Sequence, residues 1–168
     1  MKVDSFRFLP RSFRALYEDA ELPASEPAGP VWAPFEKRLS GSRVALVTSA
    51  GLHLRSQPAF DLDGERARPQ WGDPSWRAIP ATTPGPELRV AHLHINDADI
   101  LADPEIALPM RTLAGLVQAG MVGSAVATHI SVMGFQEAGL EGWRTGALPE
   151  IVALLRAEGA DGVVLAPV

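Results

Sequence analysis

Apolar and polar positions follow a strand-like rhythm and a helix-like rhythm in turn from residue 43 onward. The nearly unbroken apolar run 44–48, closed by Ser49, Ala50 and Gly51, predicts a strand buried on both faces. A second strand is predicted over 88–95. Leu113, Leu116 and Val117 then recur at helical spacing, between a Pro109 suited to a first turn and a Gly120 suited to a stop. The β-branched stretch 122–133 predicts a strand, or a loop and a strand. Pro149 opens a second helix that faces the core with Ile151, Val152, Leu154 and Leu155, and Gly159 ends it. The run 161–166 predicts one more buried, parallel strand. Strands separated by helical stretches define the expected fold class: α/β, with a three-layer, mostly parallel, Rossmann-like sheet.

The rest of the chain is patterned differently. Phe6, Leu9, Phe13, Leu16 and Tyr17 recur at helical spacing, but Pro10 interrupts them, and Pro23, Pro27, Pro30 and Pro34 favour an extended path. Residues 1–40 are therefore expected to form an N-terminal arm or strap, held to the body by Trp32 and Phe35. Residues 41–168 form the α/β domain. Residues 56–87 are rich in Pro, Asp, Gly and Trp, a length of segment that often serves function. The chain stops at the carboxyl end of its last predicted strand, where catalytic loops of open α/β sheets begin. The domain is accordingly expected to be incomplete there, lacking its last helix.

Composition narrows the chemistry. The 168 residues carry a net charge of −5, with 46% hydrophobic and 21% charged residues, as globular domains do. The acidity offers no footprint for nucleic acid, and no apolar run is long enough for a membrane span. Charges at Asp4, Arg7, Arg11 and Arg14 break any signal-peptide core, so the expected location is cytoplasmic. With no cysteine, there is no disulfide, no thiolate-held metal and no cysteine nucleophile among these residues.

Four histidines remain: His53, His92, His94 and His129. On a parallel sheet several of them would gather at the carboxyl edge. On one strand His92 and His94 would share a face, with Asp97 and Asp99 near enough to add oxygen ligands. A zinc or iron site on His92, His94 and Asp97 is thus one reading, that of a metal-dependent hydrolase. The run His92–His94 comes near the His-x-His-x-Asp-His pattern of metallo-β-lactamase-like hydrolases, but Asn96 and Asp97 stand where Asp and His are required. No phosphate-binding glycine motif is present, and Ser49 lacks the first glycine of a nucleophile elbow, which leaves it a turn serine bonded to backbone. Arg55 and Arg111 are the candidates for anion contacts.

Several segments together resemble one family. Residues 43–55 (RVALVTSAGLHLR) and 72–80 (GDPSWRAIP) are similar to segments of the glycine/sarcosine/betaine/D-proline reductase selenoprotein B family. So are the His-rich stretch 90–94 (VAHLH) with Asp97 and Asp99, and the later runs 109–113 (PMRTL), 120–124 (GMVGS) and 129–134 (HISVMG). The resemblance covers about residues 30–168. It implies an oxidoreductase in which a selenocysteine or cysteine attacks substrate carbon or carries reducing equivalents, regenerated by a dithiol. A low pKa keeps such a group ionised and nucleophilic. It also implies that this residue directly follows a strand like 161–167. The expectation is therefore an in-frame UGA after Val168, with selenocysteine as the group and no other cofactor in the chain as written.

In that reading His53, His92, His94 and His129 are candidates for proton transfer or substrate holding, and Arg55, Asp97, Asp99 and Arg111 for substrate binding. The expected partners are a small-molecule substrate, a thioredoxin-like or other dithiol reductant, and a partner subunit or a second copy. A non-catalytic interaction module, docking through the arm and an exposed sheet edge, is the other alternative.

Overall fold

The computed structural model describes residues 33–68, 71–93, 95, 97–134 and 140–168. Contacts divide the chain into Met1–Pro34 and Phe35–Val168. The helical spacing, the prolines before Pro34 and Trp32, all expected in the arm, lie outside the described residues. The described helices and strands all belong to the second unit.

The sheet is built around its first strand. Arg43–Thr48 (β1) bonds on one edge to Gly162–Ala166 (β7) through five consecutive parallel pairs, from Val44 with Gly162 to Thr48 with Ala166. On its other edge it meets Ser124–Ala125 (β5) and then Thr128–Val132 (β6), both parallel. Trp76–Pro80 (β3) lies antiparallel outside β6. The fold is α/β with a mostly parallel sheet, as the alternation of strand and helix patterns predicts.

Alternate residues of β1 enter different cores, because successive side chains of a strand point to opposite faces. Val44 and Leu46 pack with Met110 and Leu113 of the helix Met110–Gln118 (α3). Ala45 packs with Ile151 and Leu155 of the helix Leu148–Ala157 (α5). Helices thus cover both faces, which makes three layers. Gly120 and Gly159 stop the two helices with φ of 72° and 71°, a conformation that costs other residues a clash at Cβ.

The α5 helix starts earlier than Pro149 suggests. It continues Leu140–Gly142 (α4) through a π-helical turn over Trp143–Ala147. Pro149 has no N–H for the carbonyl of Thr145 four residues back, and the helix widens there instead of breaking.

Two expectations need correction. The strand predicted over 88–95 is only Leu88–Val90 (β4), and it leaves the parallel sheet to pair antiparallel with Leu52–Leu54 (β2). Its partner chain turns away at Gly51, φ 63°, after Gly51 O accepts the Ala91 N–H at 3.0 Å, and the ladder ends there. Second, β7 is parallel but not buried: it forms the edge of the sheet, and Val163, Val164 and Leu165 are exposed.

Polar side chains hold residues 56–68 and 71–87 in place. Leu62–Ala67 (α1) is capped by Asp61, whose Oδ1 accepts the Gly64 N–H at 2.8 Å. Buried Asp73 accepts the N–H groups of Asp61 and Ser75, at 2.9 and 2.8 Å. Arg77 donates to the carbonyls of Pro58, Ala59 and Trp76, and its guanidinium lies 4.2 Å from the centre of the Phe60 ring.

Candidate active site at the carboxyl edge

Open α/β sheets bind ligands where their parallel strands end. Here β1, β6 and β7 end together at Ser49, Gly134 and Val168. Ser49 Oγ accepts the Val168 N–H at 2.9 Å and lies 3.3 Å from Val168 O, while the Ser49 N–H donates to Ala166 O at 3.3 Å. A Cβ on Gly134 would come within 3.2 Å of Ser49 Cβ and Oγ, so the bare glycine lets the end of β6 lie against Ser49. Thr48 and Ser131, register partners on adjacent strands, put two fully buried hydroxyls just behind this edge. Thr48 Oγ1 accepts the Ala50 N–H at 3.2 Å, and among the described residues Ser131 Oγ has no hydrogen-bond partner.

Gly51 closes the edge on a third side. A Cβ there would meet Ala91 O at 2.1 Å and Met133 Sδ at 2.8 Å, and Gly51 N donates to Val132 O at 3.0 Å. The approach joins the end of β4 to the end of β1 and brings the half-buried His92, next after Ala91, to this edge.

His53 and His129 lie elsewhere. His53 lies on β2, buried, with Nδ1 3.0 Å from Leu54 O. His129 is in the sheet, 1% exposed, and its Nδ1 accepts the backbone N–H of Leu46 at 3.2 Å. That N–H falls at the break between β5 and β6, where no strand carbonyl meets it, and the imidazole stands in for the carbonyl. Burial lowers the His129 pKa below its ordinary value, and the charge of Glu158 opposes this only in part. His94 and Asn96 lie outside the described residues.

Asp97 and Asp99 are exposed in the first turn of the helix Asp97–Ala102 (α2). No group of three His, Cys, Asp or Glu able to hold a metal occurs among the described residues. Arg55 is exposed, and its N–H donates to Glu87 O at 2.9 Å. Arg111 pairs with Asp103 at 2.7 Å and Glu105 at 3.5 Å on the rim of an open cavity of about 660 Å³ floored by Leu88 and Met110. Burial would raise the Glu105 carboxyl. The N–H groups of Arg111 and Thr112, the Thr112 hydroxyl and the Arg111 charge outweigh it and hold the pKa low. Glu105 thereby caps α3, a role its place before Pro109 does not reveal.

These features define an α/β protein with its best-formed polar edge at the carboxyl ends of three parallel strands. Neither a family model nor a solved structure matches the chain. It is 30% identical over 159 residues, 90% of its own length, to D-proline reductase subunit gamma of Acetoanaerobium sticklandii. The chain spans 58% of that relative's length. The similarity supports a distant relationship to the reductase family. Among the described residues no helix is long and apolar enough to cross a membrane.

Proposed function

We propose that the chain is the scaffold of a reductase related to the D-proline reductase subunit, working at the carboxyl edge formed by Ser49, Gly134 and Val168. The reactive selenocysteine or cysteine comes directly after Val168 in this reading, and a partner subunit and a dithiol reductant complete the reaction. What supports the reading most is the bond from the Val168 N–H to Ser49 Oγ, since it fixes the end of β7 against the end of β1. A residue next after Val168 would start beside that hydroxyl and near Gly134, which packs against Ser49.

The selenol or thiol supplies a two-electron nucleophile: it cleaves a substrate C–N bond, and a dithiol that ends as a disulfide regenerates it while the carbon and the amine take up protons. The protein's own residues do the positioning. Ser49 holds the strand end, and Gly51 keeps Ala91 and His92 close to it. Among the described residues His92 is the histidine next to this edge, and it is assigned the substrate's proton. His129, its Nδ1 committed to Leu46, holds the sheet instead. A cyclic amino acid such as the D-proline of the relative's name is the proposed substrate class.

The test begins with the codon after that for Val168 and the frame beyond it. UGA or a cysteine codon with continuing sequence after it is expected, and UAA or UAG would overturn the reading. In the extended product, the residue after Val168 is expected to be alkylated by iodoacetamide at pH 6–7, where an ordinary thiol with pKa about 8.5 reacts slowly.

A further inference from the structure

The cavity beside Arg111 holds about 660 Å³, within the size range of small-molecule sites. It stands at the far end of β3 from Gly134. One wall, the segment 81–86, leaves β3 after Pro80, the register partner of Thr128 at the amino end of β6. The other runs from Leu101 to Glu105 and on into α3. The two walls meet where a Cβ on Gly85 would lie 3.5 Å from Pro104 Cγ. Prolines at 84, 86 and 104 stiffen the backbone on both sides, so the cavity is shaped ahead of any ligand. Buried Leu88 and Met110 form its floor, and Leu101 stands 45% exposed at its side.

Its charge lies on one rim. Among the described residues, the charged ones that line it are Asp103, Glu105 and Arg111. Glu105, 15% exposed, is committed: it accepts the N–H groups of Arg111 and Thr112, both at 2.8 Å, and the Thr112 hydroxyl at 3.0 Å. Asp103 and Arg111 keep spare capacity. Their side chains are 53% and 77% exposed, and they share one bond, from Arg111 Nη2 to Asp103 Oδ1 at 2.7 Å. Among the described residues nothing bonds Arg111 Nη1 or Asp103 Oδ2. A cationic donor and an anionic acceptor thus stand side by side, fixed by the bond between their other atoms.

We propose that this cavity binds a free α-amino acid with a large apolar side chain, its carboxylate on Arg111 Nη1 and its ammonium on Asp103 Oδ2. Charge balance selects the class. Two carboxylates and one guanidinium leave the rim with a single negative charge. A bare carboxylate is repelled by Asp103, and a bare amine by Arg111. A zwitterion brings a partner for each and adds no net charge, and the bond between Asp103 and Arg111 stays whole. The planar fork of Arg111 matches a carboxylate. The apolar floor takes the side chain: a charged one would lie unpaired against Leu88 and Met110, and a small one would leave most of the volume empty. The proposal does not rest on the reductase reading, and its test needs no turnover.

Calorimetric titration of the full chain with L-leucine and L-phenylalanine tests it. Two leucine analogues serve as controls: 4-methylpentanoate lacks the amine, and 3-methylbutylamine lacks the carboxylate. Half-saturation by an amino acid is expected below about 2 mM, and each analogue should bind at least about tenfold more weakly. Arg111→Gln and Asp103→Asn should each weaken leucine binding at least about tenfold and, as exposed positions, leave the melting temperature within a few degrees. On the native chain, leucine should shift the backbone amide signals of 81–86 and 101–114. Failure of both amino acids to half-saturate the chain by about 2 mM, an analogue that binds as tightly as leucine, indifference to both variants, or shifts confined to other residues would each overturn the proposal.

Discussion

The backbone N–H of Leu46 donates to the imidazole Nδ1 of His129, 3.2 Å away, and so closes a gap in the ladder between β1 and the paired strands β5 and β6. Removing the ring leaves that N–H buried without an acceptor, which typically costs about 1–3 kcal/mol, and opens a cavity as well. His129→Ala is therefore expected to lower stability by at least about 2 kcal/mol. His129→Asn, whose Oδ1 can take the place of Nδ1, should recover a good part of it. Urea denaturation of the three proteins measures the difference.

The same bond sets a pH dependence. The folded His129 pKa lies below the ordinary 6.5, because burial disfavours the charged ring. The unfolded chain then binds a proton before the folded one, so stability is lost as pH falls from about 6.5 toward the folded value. Asp73, Glu105 and Glu158 also have lowered pKa values, but their losses begin only as pH falls below about 4.5. Urea midpoints between pH 7 and 5 are expected to fall for the native chain and to stay flatter for His129→Asn.

Gly51 tolerates no side chain. Its φ of 63° and the 2.1 Å from a Cβ to Ala91 O leave no relaxed geometry for alanine. Gly51→Ala is expected to cost more than about 2 kcal/mol or to detach the 88–95 segment from the end of β1. Gly115→Ala, in open space within α3, should be neutral or slightly stabilising. Thermal unfolding of the pair separates a local clash from a general intolerance of glycine replacement.

Ser49 ties down the end of β7 through one exposed bond to Val168. Ser49→Ala should leave the melting temperature within a few degrees. The Val168 amide should exchange with solvent at least several-fold faster, since local opening there no longer breaks that bond. Amide exchange read by NMR checks both parts. Unchanged exchange at Val168 would separate Ser49 from the carboxyl edge.

Arg77 is bound to four oxygens and stacked on Phe60, a geometry no ammonium can copy. Arg77→Lys is expected to destabilise by about 1–3 kcal/mol, through the loss of several charge-assisted hydrogen bonds and of the stacking on Phe60. Limited proteolysis should then cut first within 56–75.

How far the sequence carries this picture depends on whether each signal was local. The apolar run of β1, the stripe of α3 and the glycines at 120 and 159 are visible because burial and helix stops impose their own spacing. The end of β4 is not visible: it is set by Gly51, about forty residues away, through a contact no window along the chain contains. The exposure of β7 is hidden for the same reason, since a valine-rich strand reads alike at the centre and at the edge of a sheet. At the candidate site, the histidines announce themselves by residue type, yet the fold gives His129 a backbone to hold and brings His92 to the edge. Ser49 reads as a turn serine, and so it is; that its partner is Val168, 119 residues on, only the fold reveals.

The order in which the ribosome delivers these strands has its own consequence. β1 emerges early, yet its hydrogen-bonding partners lie 81, 83 and 118 residues later, as the contacts of Arg43 with Ser124, of Leu46 with His129 and of Arg43 with Asp161 show. Until they arrive, a naked apolar strand waits without a sheet. Closing loops that long makes folding slow for a chain of this size and exposes the nascent chain to aggregation. The central strand is thus the first made and among the last satisfied, and slower translation before β7 would prolong that wait.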